Sequence, residues 1–220
     1  NKEGIGWPQV LAVLQDLLAA QPRAHVAGLP PFQGGWAGYI SYDYGRHPEP
    51  KARIPAFQPL CPDMVMHRFD TVIAIDHLQE RAWIFAGTSA DADALEQRLR
   101  PRQQALGNGT VPDLSAQVTR DTHERNVART VDYILDGDIF QANITQTFAA
   151  PEPAGFDSFA LYERLRQRNP ATFAALLDYD DIKIISSSPE RLVRFDGETA
   201  GARPIKGTRR RDDDPMRDEA

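Results

Sequence analysis

An α+β fold is predicted by three features of the sequence. Short apolar, β-branched and aromatic runs come in pairs joined by a few turn-forming residues, which marks β-hairpins. Stretches with apolar residues at helical spacing separate those pairs. Hairpins with interleaved helices favour antiparallel sheets over a parallel βαβ array.

Each element has its own reason. Residues 7–20 read as a helix, with Val10, Leu11, Leu14, Leu17 and Leu18 at helical spacing and Pro8 in a first-turn position. Phe32 to Asp43 is dense in glycine and aromatic residues and reads as a closely packed strand. Pro48, Pro50, Pro55, Pro59 and Pro62 make residues 46–63 an excursion loop. Thr71–Asp76 and Arg81–Ala86 form a hairpin across His77 to Glu80. Residues 89–106 read as a helix capped by Ser89 and kinked or ended by Pro101. Gly107 to Pro112 is the best linker, so any division of the chain is expected within 107–118.

A third helix is predicted from Asp121, with Glu124 completing a capping box. Val127, Val131, Ile134 and Leu135 form its apolar stripe, and Gly137 suits its C-terminal cap. Residues 138–149 alternate: Phe140, Ala142, Ile144 and Phe148 on one side, Gln141, Asn143, Thr145 and Thr147 on the other. That period of two predicts a half-buried strand. Residues 157–168 are helical again. Thr172–Leu177 and Ile182–Ser187 pair around residues 178–181, and Arg191–Phe195 pairs with Thr199–Ile205 across Asp196-Gly197.

Composition excludes several classes. The 220 residues are 41% hydrophobic and 25% charged, an ordinary globular balance that rules out wholesale disorder, collagen and a disulfide-stapled miniprotein. A chain of this length typically buries about 70% of its unfolded surface. No apolar run approaches the roughly 18 residues of a membrane span. The net charge of −6 argues against a nucleic-acid partner. The single cysteine, Cys61, has no internal disulfide partner; it reads as a small buried hydrophobe and fits a reducing, cytoplasmic compartment. Asn1 to Trp7 show no signal peptide. The absent initiating Met and the acidic run to Ala220 suggest a piece of something longer.

The strongest chemical signal is Arg203-Pro204-Ile205-Lys206-Gly207-Thr208-Arg209-Arg210-Arg211. Crowded cations disfavour an ammonium and make its amine a usable nucleophile or base. Gly207 allows close approach of a ligand to the backbone, and Thr208 offers a hydroxyl and an N–H to a carboxylate. The same run also reads as a basic surface stretch neutralised by Asp212, Asp213 and Asp214. In Ser186-Ser187-Ser188-Pro189-Glu190-Arg191, Glu190 is either a surface partner of Arg191 or a working carboxylic acid. Glu190 and Lys206 sit at opposite ends of two strands joined by a tight turn, so a hairpin can return one to the other. His25, His47, His67, His77 and His123 have no metal-ligand spacing, so no metal site is proposed from the residues present. The serines show no nucleophile elbow, and the glycines no phosphate loop.

With these motifs in hand, the chain resembles the chorismate-utilising enzymes, and among them the aminodeoxychorismate synthase component I branch. The likeness rests on Phe32 to Gly35 with Tyr42 to Arg46, Gly137 to Gln146, Ser186 to Arg191, and Arg203 to Thr208, in family order. Anthranilate and isochorismate synthases usually carry alanine at the position of Lys206, so lysine there resembles the aminodeoxychorismate branch, as does Gln141 to Asn143.

The resemblance implies two packed antiparallel sheets flanked by helices, of which this chain supplies part. It implies Lys206 as the nucleophile on chorismate, Glu190 as the general acid, and Gly207 and Thr208 as holders of a substrate carboxylate. Ammonia from a glutamine amidotransferase subunit is the implied second substrate, and folate (4-aminobenzoate) synthesis the implied role. Thr172, Phe173 and Ala174 stand where the family has a Pro-Phe-Ser segment of a tryptophan pocket. Magnesium is the implied cofactor, with ligands expected beyond residue 220. Anthranilate synthase component I is the alternative enzyme. A non-catalytic fragment that binds a ligand or partner is the alternative of another class.

Overall fold

The computed structural model describes residues 7–20, 25–49, 61–100, 112–207, 214 and 216. Its elements are helices and antiparallel strands, an α+β arrangement. The chain divides into two units, Asn1–Gln103 and Gln104–Ala220.

In the first unit, helix α1 covers Trp7–Ala20. Strand β1 (Gly35–Ile40) pairs antiparallel with β2 (Met64–Phe69), Gly38 opposite Met66. The strand read across residues 32–43 is thus shorter, because Ser41 caps a 3-10 turn at Tyr42–Arg46, its side chain accepting from the Tyr44 N–H. Gly38 is required by proximity: a Cβ there would fall into the Val65 carbonyl. The ends of the proline-rich excursion are tied together. Ser41 N–H donates to Asp63 O at 2.8 Å, and His47 Nε2 lies 3.3 Å from Asp63 Oδ2. Residues 50–60 of that excursion lie outside the described residues. Cys61, expected to be buried, is half-buried and unpaired.

Strands β3 (Val72–Asp76) and β4 (Arg81–Phe85) form the expected hairpin. Asp76 Oδ1 accepts from the N–H groups of Leu78 and Gln79, which closes the turn. Helix α2 runs Ser89–Arg98, and its cap is Thr88 rather than Ser89. Thr88 has extended backbone and its hydroxyl accepts from Asp91 N–H, the geometry a cap needs. The helix ends well before residue 106, and Pro101 lies outside the described residues.

The second unit begins with β5 (Ser115–Ala116) and helix α3 (Arg120–Leu135). Thr119, not Asp121, caps α3 by accepting from Thr122 N–H. Glu124 therefore forms no capping box; it pairs with Arg120 one turn back at 2.6 Å. The apolar stripe of α3 is not buried: Val131 is 47% exposed and Leu135 78%.

Residues 138–149 give the largest departure from expectation. Only Phe148–Ala149 forms a strand, β6, paired with β5. Alternation specifies two faces, but a strand also needs a neighbour for its N–H and C=O groups. Residues 138–147 run without regular structure, and the pairing with the β5 segment reaches back only to Thr147 O, which accepts from Gln117 N–H at 2.9 Å. Gln146 Nε2 ties the end of this segment to Val118 O at 2.8 Å.

Helix α4 (Ser158–Arg168) is capped by Asp157, whose Oδ1 accepts from Phe159 and Ala160 N–H. It packs on strands β7 (Phe173–Tyr179) and β8 (Ile182–Ser188), burying Ala160 and Ser158. The last hairpin pairs β9 (Arg191–Phe195) with β10 (Ala200–Arg203), the ladder broken by a bulge between Gly201 and Arg203.

Candidate functional site

Two hairpins build the site. Strand β8 ends at Ser188, and β9 begins at Arg191, so Pro189 and Glu190 are a two-residue link between sheets. Proline cannot donate to a ladder, which suits this break. A local turn fixes the link: Ser188 Oγ donates to Glu190 O at 3.0 Å, and Glu190 N–H reaches back to Ser188 Oγ at 3.4 Å. Glu190 is half-buried.

The second hairpin sets the return. Its turn is held by Asp196: Oδ1 accepts from Glu198 and Thr199 N–H, and Oδ2 from the Thr199 hydroxyl. These donors, Thr199 N–H first, lower the Asp196 pKa from its ordinary 3.8 to about 2. Gly197 takes φ 102°, a region open to glycine. From this turn the ladder runs back until Arg203 stands opposite Arg191. Glu190 and Pro204 therefore leave the same open end of the ladder, with Lys206 two residues further on. Lys206 and Gly207 are exposed, and nothing crowds the position a Cβ on Gly207 would occupy. Thr208, and the arginines and aspartates at 209–213, lie outside the described residues.

The Thr172–Ala174 segment comes to the same place. Phe173 pairs with Ser188 and Ala174 with Ser187, so this segment lies directly across from the strand that leads to Glu190. Thr172 is exposed; Phe173 and Ala174 are half-buried.

Arg191 corrects one expectation. It makes no ion pair with Glu190; its guanidinium lies 5.7 Å over the Phe173 ring, and its buried Nε has no hydrogen-bond partner among the described residues. Its cross-strand neighbour is a second cation, Arg203. The hairpin expected from the sequence brings Arg191 back to the segment of Arg203, and the bulge between Gly201 and Arg203 makes the two direct partners.

Among the described residues, no three or more His, Cys, Asp or Glu side chains are grouped to hold a metal ion. They do not fit a magnesium site. A cavity of about 440 Å³ lies at the far end of β7–β8, lined by Glu152, Phe156, Asp180, Asp181, Lys183 and Ile185. None of the residues singled out from the sequence lines it. No helix among the described residues is long and apolar enough to cross a membrane.

This order of elements and this pair of hairpins belong to a known class: the chain is a member of the chorismate binding enzyme family, whose model matches residues 3–220. Among its relatives, anthranilate synthase component 1 of Thermus thermophilus is 34% identical, matching 99% of this chain and 48% of its own length. Aminodeoxychorismate synthase component 1 of Bacillus subtilis is 30% identical, over 87% of this chain and 43% of its own. The solved anthranilate synthase component I of Streptococcus pneumoniae superposes with a TM-score of 0.71 at 26% identity, covering 85% of this chain and 46% of that one. The chain thus spans about half the length of these relatives.

Proposed function

We propose that this chain carries the nucleophile and the general acid of an aminodeoxychorismate synthase component I, which converts chorismate and ammonia to 4-amino-4-deoxychorismate. The observation that carries the reading is the β9–β10 register, which sends Glu190 and the segment bearing Lys206 out of one ladder end. Hydroxide is a poor leaving group and needs a proton donor. The Lys206 amine forms a C–N bond to the substrate ring while the ring C–O bond breaks, and Glu190 protonates the departing hydroxyl, releasing water. Ammonia then forms the product C–N bond as the lysine C–N bond breaks. The surplus proton on the new ammonium returns to the Glu190 carboxylate. Gly207 and Thr208 hold a substrate carboxylate, and Thr172, Phe173 and Ala174 face a regulatory ligand such as tryptophan.

A glutamine amidotransferase subunit supplies the ammonia in this reading, and folate synthesis uses the product. Magnesium would supply charge compensation for a substrate carboxylate, with ligands expected beyond residue 220. Anthranilate synthase component I is the second reading, favoured by the relatives of that name at similar identity. The two differ in product, since anthranilate formation releases pyruvate.

Mass spectrometry of the full-length protein incubated with chorismate and magnesium, without ammonia, tests the proposal. A covalent adduct is expected that disappears in Lys206→Ala. The same adduct in Lys206→Ala would remove the lysine from its role, and pyruvate release with ammonia present would favour the second reading.

A further inference from the structure

The two hairpins of the site are separate two-stranded sheets, and Pro189-Glu190 is the link between them. A side-chain contact spans that link. Arg191, just after it, lays its guanidinium over the ring of Phe173, which stands opposite Ser188, just before it.

The guanidinium has two neighbours to choose from. Arg191 adjoins Glu190, and a carboxylate is the ordinary acceptor for a guanidinium. The buried Nε of Arg191 nonetheless has no acceptor among the described residues. A buried donor thus stays unpaired, which is costly, beside a carboxylate able to accept from it. Glu190 is just as unengaged: its hydrogen bonds to Ser188 Oγ run through its own C=O and N–H. The other charged groups on the elements around it are Arg194 and Arg203 of the ladder, Lys206 beyond it, and the half-buried Glu163 and Arg164 of α4. No ion pair among the described residues joins any of them to Glu190.

This separation has a chemical consequence. A cation in contact with a carboxyl favours the ionised form. A general acid must keep its proton until the leaving group takes it. Arg191 paired with Glu190 would work against that role. The face of an aromatic ring gives the guanidinium another resting place, and the β7–β8 register fixes that ring beside the link.

We propose that Phe173 is a positioning residue that holds the Arg191 guanidinium off the Glu190 carboxyl, leaving Glu190 free to carry and deliver its proton. This rests on the functional reading above, which makes Glu190 the general acid.

The rate of covalent adduct formation across pH tests it. Full-length protein is mixed with saturating chorismate and magnesium, without ammonia or tryptophan, then quenched and read by mass spectrometry. Omitting ammonia keeps its own ionisation out of the profile, and omitting tryptophan separates the ring contact from any regulatory ligand. The rate is expected to fall at high pH as the acid loses its proton, and Glu190→Gln to abolish that alkaline limb. Phe173→Leu releases the guanidinium and is expected to move the limb about one pH unit or more toward acid, the scale of a new opposite charge beside a carboxyl. Adding Arg191→Gln to Phe173→Leu is expected to return the limb to its unmutated place. Phe173→Tyr keeps a ring and is expected to keep the limb. Loss of folded protein would lower the amount of adduct but move no limb. Should Phe173→Leu fail to fold, Phe173→Met carries the same comparison.

An unmoved limb in Phe173→Leu overturns the proposal. So does a moved limb that Arg191→Gln does not return, since the ring then acts through the fold. A limb moved as far by Arg191→Gln alone overturns it too, because the arginine then acts on Glu190 with the ring in place. Each of these leaves the functional reading standing. No adduct in the unmutated protein, or an alkaline limb that survives Glu190→Gln, overturns the functional reading and the proposal with it.

Discussion

Glu190 sits in a two-residue link pinned by Ser188, so its backbone position does not depend on its own carboxyl. Glu190→Gln should therefore preserve the site while removing the proton. Turnover is expected to fall by about 10²-fold or more, a usual acid contribution, with little change in chorismate affinity. Steady-state kinetics beside a binding isotherm checks this, and an unchanged turnover number would take Glu190 out of the reaction. Asp196 offers a test free of chemistry. Its folded pKa of about 2 lies below its ordinary value, so its contribution to stability is present above about pH 4. That contribution is lost as the pH falls from there through 2. Carboxyl NMR titration should give Asp196 a midpoint near 2, and a midpoint near 4 would mean that the Thr199 and Glu198 donors are not formed in solution.

At the level of elements, Gly38 has the least freedom. Alanine there would drive its methyl into the Val65 carbonyl and push β2 from β1. Gly38→Ala is expected to lower stability by about 1–3 kcal/mol, the usual cost of overpacking. Urea unfolding should show it, and an unchanged midpoint would mean that the strand pair does not sit so close. Hairpins were the elements most readable from sequence. Local turn chemistry specifies them, as in Asp76 folding over Leu78 and Gln79, or Asp196 over Glu198 and Thr199. Caps were less readable, because Thr88 competes with Ser89 and Thr119 with Asp121, a position or two later, and only backbone geometry chooses between them. Residues 138–147 depart from the expected strand for a different reason: alternation is a property of one segment, whereas pairing is a property of two. The candidate site was legible as two motifs. The pairing of Thr172–Ala174 with the Ser186–Ser188 strand follows from the hairpin expected around 178–181, whereas the contact of Arg191 with Phe173 does not, since it joins two separate hairpins.

On the scale of the whole molecule, apolar surface is plentiful. Leu192 is 88% exposed and Phe140 92%, and the α3 stripe is open as well. Exposed apolar patches drive association when nothing covers them. The 220-residue chain, which spans about half of its relatives, is expected to self-associate and to form no detectable aminodeoxychorismate from chorismate, ammonia and magnesium. Sedimentation and a product assay on a chain confirmed by mass test both. A monomer with measurable turnover would show that these residues suffice. His47 and Ser41 both reach Asp63, so the proline-rich excursion leaves and returns through one clasp. The entropy of closing such a ring grows only with the logarithm of its length, about 0.6 kcal/mol for each doubling. Extra residues placed within 50–60 should therefore cost the fold little, and a ten-residue polar insert is expected to leave the melting temperature almost unmoved. The same insert between Ser41 and Tyr44, inside the clasp, should lower it clearly; equal effects at the two places would mean that the clasp does not bear the strain.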